Sequence, residues 1–307
     1  MRKLKSNSSI AIAAPAGRIF LQDLDFAIYW VEQNGWNAVY SKEIFKAHDF
    51  GYHYAGNTEH RKNQLQTYLD DENIDAIWFA RGGYGSVQII DDLDFSSLQK
   101  NPKWLIGYSD ITVFHNHLNN LGIPTLHAVT AKQLNATYSD ETYTSLLNVL
   151  RGETLNHEIA PYWLNIKGKA RGKLVGGNLS IIYSLLGSDS FIQGENLILF
   201  IEDWQENWYH LDRMLMAIKR SGLLSRIRGL VVGSFTKMDI KGENQNYEQA
   251  FDEASNQIIH SFVKDLNIPV AFQFPSGHIG DNRALILGND VILDVSEKKS
   301  MLKFFKP

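Results

Sequence analysis

The 307-residue chain contains no cysteine. That excludes disulfides, a thiolate nucleophile, iron–sulfur ligation and cysteine-bound zinc. No apolar run approaches the ~18 residues that a membrane-spanning helix needs. Nor does one sign of charge dominate: 30 Lys and Arg against 34 Asp and Glu leave a net charge of −4. The chain therefore has no global basic field, and no local basic patch that would mark a nucleic-acid partner is evident. Internal repeats and low-complexity tracts are also missing. What is present is a globular composition, 44% hydrophobic and 21% charged, on a chain too long for one domain of ~100–150 residues and natural for two.

The N-terminus, MRKLKSNSSIAIAAPAG, starts basic like a secretion signal. Only Ile10 to Ala14 is unbroken apolar text, however, before Pro15 and Gly17 interrupt it. So short a run reads as a first buried strand, and a cytoplasmic protein is expected.

In the first half, short apolar runs alternate with amphipathic stretches, the pattern of a parallel sheet covered by helices. Strands are expected at Ile10–Pro15, Trp36–Tyr40, Asp75–Ala80 and Trp104–Tyr108. Phe20, Leu24, Ala27, Ile28 and Val31 fall on one helical face closed by Gly35, and Asn57–Asp71 reads as a polar helix. A domain comprising residues 1–152 is expected, then a linker at 153–172 and a smaller mixed α/β domain at 173–307. The second unit should hold strands at LILFIE, GLVVGSF and PVAFQF, a helix around His210–Ser221, a polar helix near 247–266, and a closing hairpin in ALILGNDVILDV, whose Gly-Asn-Asp suits a tight turn.

Ligands of open α/β sheets gather beyond the carboxyl ends of the strands, so polar residues directly after apolar runs are the candidates. Ser109, in GYSDIT, stands where a strand passes into a helix. There a sharp turn can expose its hydroxyl and aim the next backbone N–H at a developing oxyanion. Ser109 or Asp110 could equally cap the helix, and the two roles are compatible. The turn RGGYG, at 81–85, follows DAIWFA. Closely set glycines let backbone N–H groups approach a ligand, but neither nucleotide fingerprint is met. Arg81 is a carboxylate clamp or a surface cation. Glu202 ends a strand, and His278 lies between Gly277 and Gly280 after another. A serine needs a base and the base needs a carboxylate; Ser, acid, His is a known chain order for that triad. His115 and His117 lie two apart in a helical stretch, so their side chains diverge, and no metal site is expected. Trp204, with Trp208 and Tyr209, is core or the wall of a pocket beyond Glu202.

These segments in this order resemble the LD-carboxypeptidase family of serine peptidases, which also contains the microcin C self-immunity hydrolases. The matching text is AAPAG at 13–17, RGGYG at 81–85, GYSDIT at 107–112, GGNLS at 176–180, FIED at 200–203 and GHIGDN at 277–282. The resemblance implies a flavodoxin-like N-terminal domain with a smaller C-terminal domain, and a groove between them. It implies Ser109 as nucleophile, Glu202 as acid and His278 as base, with Asp110 and Gly83 as oxyanion donors and no role for Asp203. No cofactor is implied. The expected substrate is a murein tetrapeptide, cut between its diamino acid and terminal D-alanine during cytoplasmic peptidoglycan recycling, by a homodimer. Arg81 and Arg283 are candidates for the terminal carboxylate, and Asn178 for a substrate hydrogen bond or a helix cap. The alternatives are an immunity-type amidase of peptide–nucleotide conjugates and, in another class, a non-catalytic ligand-binding protein.

Overall fold

A computed structural model describes residues 3–239 and 248–305. In the first half the strands are β1 (Ser9–Ala13), β2 (Asn37–Val39), a short pair β3 (His48–Asp49) and β4 (His53–Tyr54), β5 (Ala76–Phe79), β6 (Trp104–Gly107) and β7 (Thr125–His127). The second half adds β8 (Asn156–Ile159), β9 (Gly168–Asn178), β10 (Leu197–Trp204), β11 (Ile227–Thr236), β12 (Val270–Ala271), β13 (Leu285–Leu287), β14 (Asp290–Val295) and β15 (Ser300–Phe304). The helices are α1 (Asp25–Gln33), α2 (Thr58–Asp70), α3 (Ser96–Lys100), α4 (Thr112–Asn120), α5 (Asp140–Leu150), α6 (Leu179–Ser184), α7 (Trp208–Arg220), α8 (Leu223–Arg226) and α9 (Glu253–Val263). The helix expected near 247–266 is the shorter α9; residue 247 lies outside the described residues.

The first sheet runs β13-β7-β6-β5-β1-β2. Its five parallel strands, counted among themselves, give the order 2-1-3-4-5 of a flavodoxin-like sheet. Side chains alternate between two cores. Ile10 and Ile12 of β1 face one, with Trp78 and Ile106, while Ala11, Ala13, Ile77, Phe79 and Leu105 face the other, under α4. The second sheet is mixed, ordered β12-β11-β10-β9-β14-β15-β8. Ile198 and Phe200 of β10 join the same core as Ile10 and Trp78, whereas Leu197, Leu199 and Ile201 pack under α7 and α9. One continuous apolar layer therefore lies between the two sheets.

Two expectations give way. Phe20 is outside α1 and 50% exposed, because Asp23 Oδ2 accepts its N–H at 2.8 Å and fixes a 3-10 turn first; Leu24, Ala27 and Val31 are buried as expected. ALILGNDVILDV does not fold back on itself either. β13 pairs antiparallel with β7, Leu285 opposite His127, and β14 pairs antiparallel with β9. Gly288 carries the chain from one sheet to the other. An isolated two-stranded ribbon is marginal in water, whereas Leu285, Ile286 and Leu287 all enter the shared core by completing the first sheet. In the stretch read as a linker, β8 and the start of β9 are regular strand.

Candidate active site

Ser109 and the glycine-rich turn directly follow the parallel strands β6 and β5, Glu202 lies among the last residues of the parallel strand β10, and His278 is in the loop after β12. After β6, Tyr108 is extended and Ser109, in the left-handed region at φ 65°, opens a 3-10 turn over Ser109–Ile111 that leads into α4. A non-glycine residue held there is strained, and the strain marks a sharp elbow. Ser109 does not cap the helix with its side chain: its Oγ has no hydrogen-bond partner among the described residues.

The glycine-rich turn follows β5 and packs onto that elbow. A Cβ at Gly82 would stand 3.3 Å from Ser109 Oγ and 3.3 Å from Asp110 N. Any side chain at position 82 would crowd both the hydroxyl and the donor beside it. Gly83, at φ 104°, lines the same cleft as Gly82. Two buried groups fix this arrangement. Asp110 Oδ2 accepts the N–H of Ser86 at 2.9 Å, tying the elbow to the turn. Arg61 donates to Pro15 O at 2.6 Å, Gly85 O at 2.9 Å, Gly56 O at 3.2 Å and Gln88 Oε1 at 2.6 Å, clamping AAPAG and RGGYG together. Burial pushes the Asp110 carboxyl up to about 6, against the hydrogen bonds of Ser86 and the charge of Arg61.

Glu202 lies near the end of β10 and is fully buried. Its Oε2 is 2.7 Å from His278 Nδ1. The carboxylate takes the Nδ1 proton's hydrogen bond, which leaves Nε2 as the basic nitrogen. Gly277, at φ 123°, brings the histidine loop against that carboxylate: a Cβ there would fall 2.8 Å from Glu202 Oε2 and 2.3 Å from Ser234 Oγ. Asn282 secures the loop by accepting the Gly277 N–H at 3.0 Å. Trp204 stacks on the imidazole.

Ser109, His278, Gly82, Gly83, Tyr108, Tyr138 and Trp204 line one cleft of 550 Å³, together with Arg81, Lys132, Ile279 and Gly280. Ser109 and His278 share it without a hydrogen bond between them, a loose geometry common where no substrate is bound. Asn178 caps α6 by accepting Ile181 N–H at 3.1 Å and donates to Asp203 Oδ1 at 2.9 Å, away from the cleft lining. Arg283 is also elsewhere, paired with Asp281 at 2.9 Å beside a separate 290 Å³ cavity. Trp208 donates to Asp252 and Tyr209 is exposed, so of the three aromatics only Trp204 is a wall.

His115 is a core residue, its ring nitrogens 2.8 Å from Thr125 Oγ1 and 2.9 Å from Gly107 O. Among the described residues no group of three His, Asp or Glu could hold a metal.

Sequence reasoning missed Arg61 and Lys132. The one sits in HRKNQ and the other follows an alanine in a loop, so both read as solvated cations. It also gave Asp203 no part. That buried carboxylate accepts from Asn178, Ser180 and Trp204 and fixes the start of α6 beside Glu202. Burial, then the Glu202 charge, raises it to about 7.

With this geometry in place, comparison with known proteins is decisive. Residues 10–128 match the LD-carboxypeptidase N-terminal domain and residues 171–293 the LD-carboxypeptidase C-terminal domain. The chain belongs to the LD-carboxypeptidase family. It is 29% identical to the murein tetrapeptide carboxypeptidase of Pseudomonas aeruginosa, over 93% of this chain and 92% of that one. The crystal structure of muramoyltetrapeptide carboxypeptidase from Oxalobacter formigenes superposes with a TM-score of 0.85 at 27% identity, covering 96% and 98% of the two chains. The microcin C7 self immunity protein MccF has the same fold, with a TM-score of 0.83 at 19% identity over 98% and 97%. No helix among the described residues of this LD-carboxypeptidase family member is long and apolar enough to cross a membrane.

Proposed function

We propose that this protein is a serine carboxypeptidase that removes the terminal D-alanine from murein tetrapeptides. Ser109 is the nucleophile, His278 the base and Glu202 the acid that orients it. The observation that carries the reading is the buried Glu202–His278 pair, 2.7 Å apart, opening on the same cleft as a serine held in a left-handed elbow. His278 Nε2 takes the Ser109 proton as Oγ attacks the amide carbonyl, and Glu202 stabilises the imidazolium that forms. The N–H groups of Asp110 and of Gly83 hold the oxyanion. His278 then protonates the departing amine, and water hydrolyses the acyl-enzyme by the reverse sequence. The same proposal places the enzyme in the cytoplasm, acting on recycled muropeptides, and makes it a homodimer; the family resemblance supports both.

Mass spectrometry of L-Ala-γ-D-Glu-diaminopimelate-D-Ala incubated with wild type and with Ser109→Ala tests the reading. Wild type should release one alanine, and the variant should lose activity by about 10⁴-fold or more. Equal release by both would remove Ser109 from the mechanism. Release by neither, with both folded by circular dichroism, would overturn the murein assignment and make peptide–nucleotide conjugates the next substrates.

A further inference from the structure

The geometry points to Arg81 and Lys132 as the site that holds the terminal carboxylate of the departing amino acid, and so restricts the enzyme to chain ends. The inference rests on Ser109 being the nucleophile.

Among the described residues no carboxylate lines the cleft, although the chain as a whole is acidic; its charged lining there is Arg81 and Lys132, beside His278. The two cations come from the loops that follow β5 and β7, on either side of β6. Lys132 N–H donates to Ala80 O at 2.9 Å, the residue just before Arg81. Lys132 Nζ is 2.8 Å from Asp23 Oδ2. Burial alone would raise the Asp23 carboxyl, but the Lys132 hydrogen bond, the Phe20 N–H and the charges of Lys132 and Arg81 hold it below its ordinary value. One anion thus serves two cations, and a positive charge is left over for a ligand.

Arg81 is already aimed. Its Nη1 donates to Arg18 O at 2.9 Å, which fixes the guanidinium plane, and among the described residues it has no ion-pair partner. Among the described residues neither Nε nor Nη2 has an acceptor. Those two donors form the side edge of the fork that matches a carboxylate through two parallel hydrogen bonds.

The position suits a leaving-group carboxylate. In a terminal amino acid the carboxylate carbon is three bonds from the scissile carbonyl carbon, so its anchor must lie close to the nucleophile. Arg81 is joined directly to Gly82, about 3.8 Å from Cα to Cα, and Gly82 is the residue packed on Ser109. An internal peptide bond would offer a neutral carbonyl at this place and leave the guanidinium desolvated without an anion, which penalises cleavage inside a chain.

The test compares two substrates, the tetrapeptide with a free C-terminal D-alanine and the same peptide ending in a carboxamide. Wild type should prefer the acid by about 100-fold in kcat/KM. Arg81→Ala should lose most of that preference, falling on the acid by about 30-fold while its rate on the amide stays within about 3-fold. Arg81→Lys should restore part of it, because the charge returns without the fork. Lys132→Met should lower the preference by about 5-fold, and this half-exposed position keeps the test alive if Arg81→Ala does not fold. Equal cleavage of both substrates by wild type, or equal loss on both in the variants, would overturn the carboxylate site while leaving the serine mechanism intact. If wild type cleaves neither substrate, the peptidase reading fails and this assignment fails with it.

Discussion

Trp204 lies flat against His278, their ring centroids 5.5 Å apart and their planes 9° from parallel. Tyr108 covers another side of the imidazole at 4.7 Å. Glu202 fixes one nitrogen, but one hydrogen bond still lets the ring rock about it, and the two aromatics remove that freedom. Trp204→Ala should lower kcat about 10-fold with KM little changed. The melting temperature should move only slightly, because the indole is 41% exposed. Trp204→Phe, which keeps a stacking face, should recover most of the rate. An unchanged kcat in the alanine variant would show that Glu202 alone orients the base.

Gly277→Ala separates the loop's shape from its chemistry. The new methyl must occupy space 2.3 Å from Ser234 Oγ and 2.8 Å from Glu202 Oε2, on a backbone at φ 123°. Strain and overlap together should destabilise the protein by about 2–4 kcal/mol. Activity should fall at least 100-fold even at temperatures where the variant is folded, because the Glu202–His278 pair cannot keep its 2.7 Å contact. Turnover near the wild-type rate would mean that the loop tolerates a wider approach than the structure shows.

Asp110 gives a pH signature. Its buried carboxyl titrates at about 6 in the fold against an ordinary 3.8. A raised carboxyl pKa means the native state holds the proton more tightly than the unfolded chain. The contribution is thus fully present below about pH 4 and is lost as pH rises through 6, amounting to about 3 kcal/mol. Asp110→Asn removes that dependence. Its unfolding free energy relative to wild type should climb by about this amount between pH 4 and pH 7, by urea titration at each pH. A difference independent of pH would place the titration on another group.

Arg61→Met tests the clamp behind the glycine-rich turn. The guanidinium satisfies three main-chain carbonyls and Gln88, and its replacement leaves those acceptors buried without donors. A loss of about 3 kcal/mol or more is expected. Lysine should not rescue it, since one ammonium cannot span acceptors on so many segments. Chemical denaturation measures the loss, and a variant within 1 kcal/mol of wild type would refute the clamp.

Reading the sequence located the first sheet's strands well, because each is a short apolar run stopped by turn residues, as DAIWFA before Arg81 and WLIGY before Ser109 show; LILFIE runs on through Asp203 to Trp204, and PVAFQF is strand only at Val270–Ala271. Ser109 and Glu202 stood out because each is a polar residue at the end of such a run, and His278 because it sits between glycines in the loop after one. Partnerships made across the fold left no local trace. ALILGNDVILDV looks like a hairpin from within and is divided between sheets by the burial that β7 and β9 offer. Asn178 looks like a site residue because it follows two glycines, but its own helix and Asp203 absorb its amide. Arg61 is invisible as a core cation because its partners are main-chain carbonyls, which any sequence supplies.

β13 also imposes an order on biosynthesis. A ribosome releases β1, β2, β5, β6 and β7 while residues 285–287, which cover the open edge of β7, are still to be made. An uncovered edge invites foreign strands, so the first half leaves the exit tunnel with its sheet unfinished. The histidine of the site is translated only shortly before that edge is closed. Ser109 therefore meets His278 and its finished scaffold almost together, and a chain abandoned midway carries the serine without the histidine.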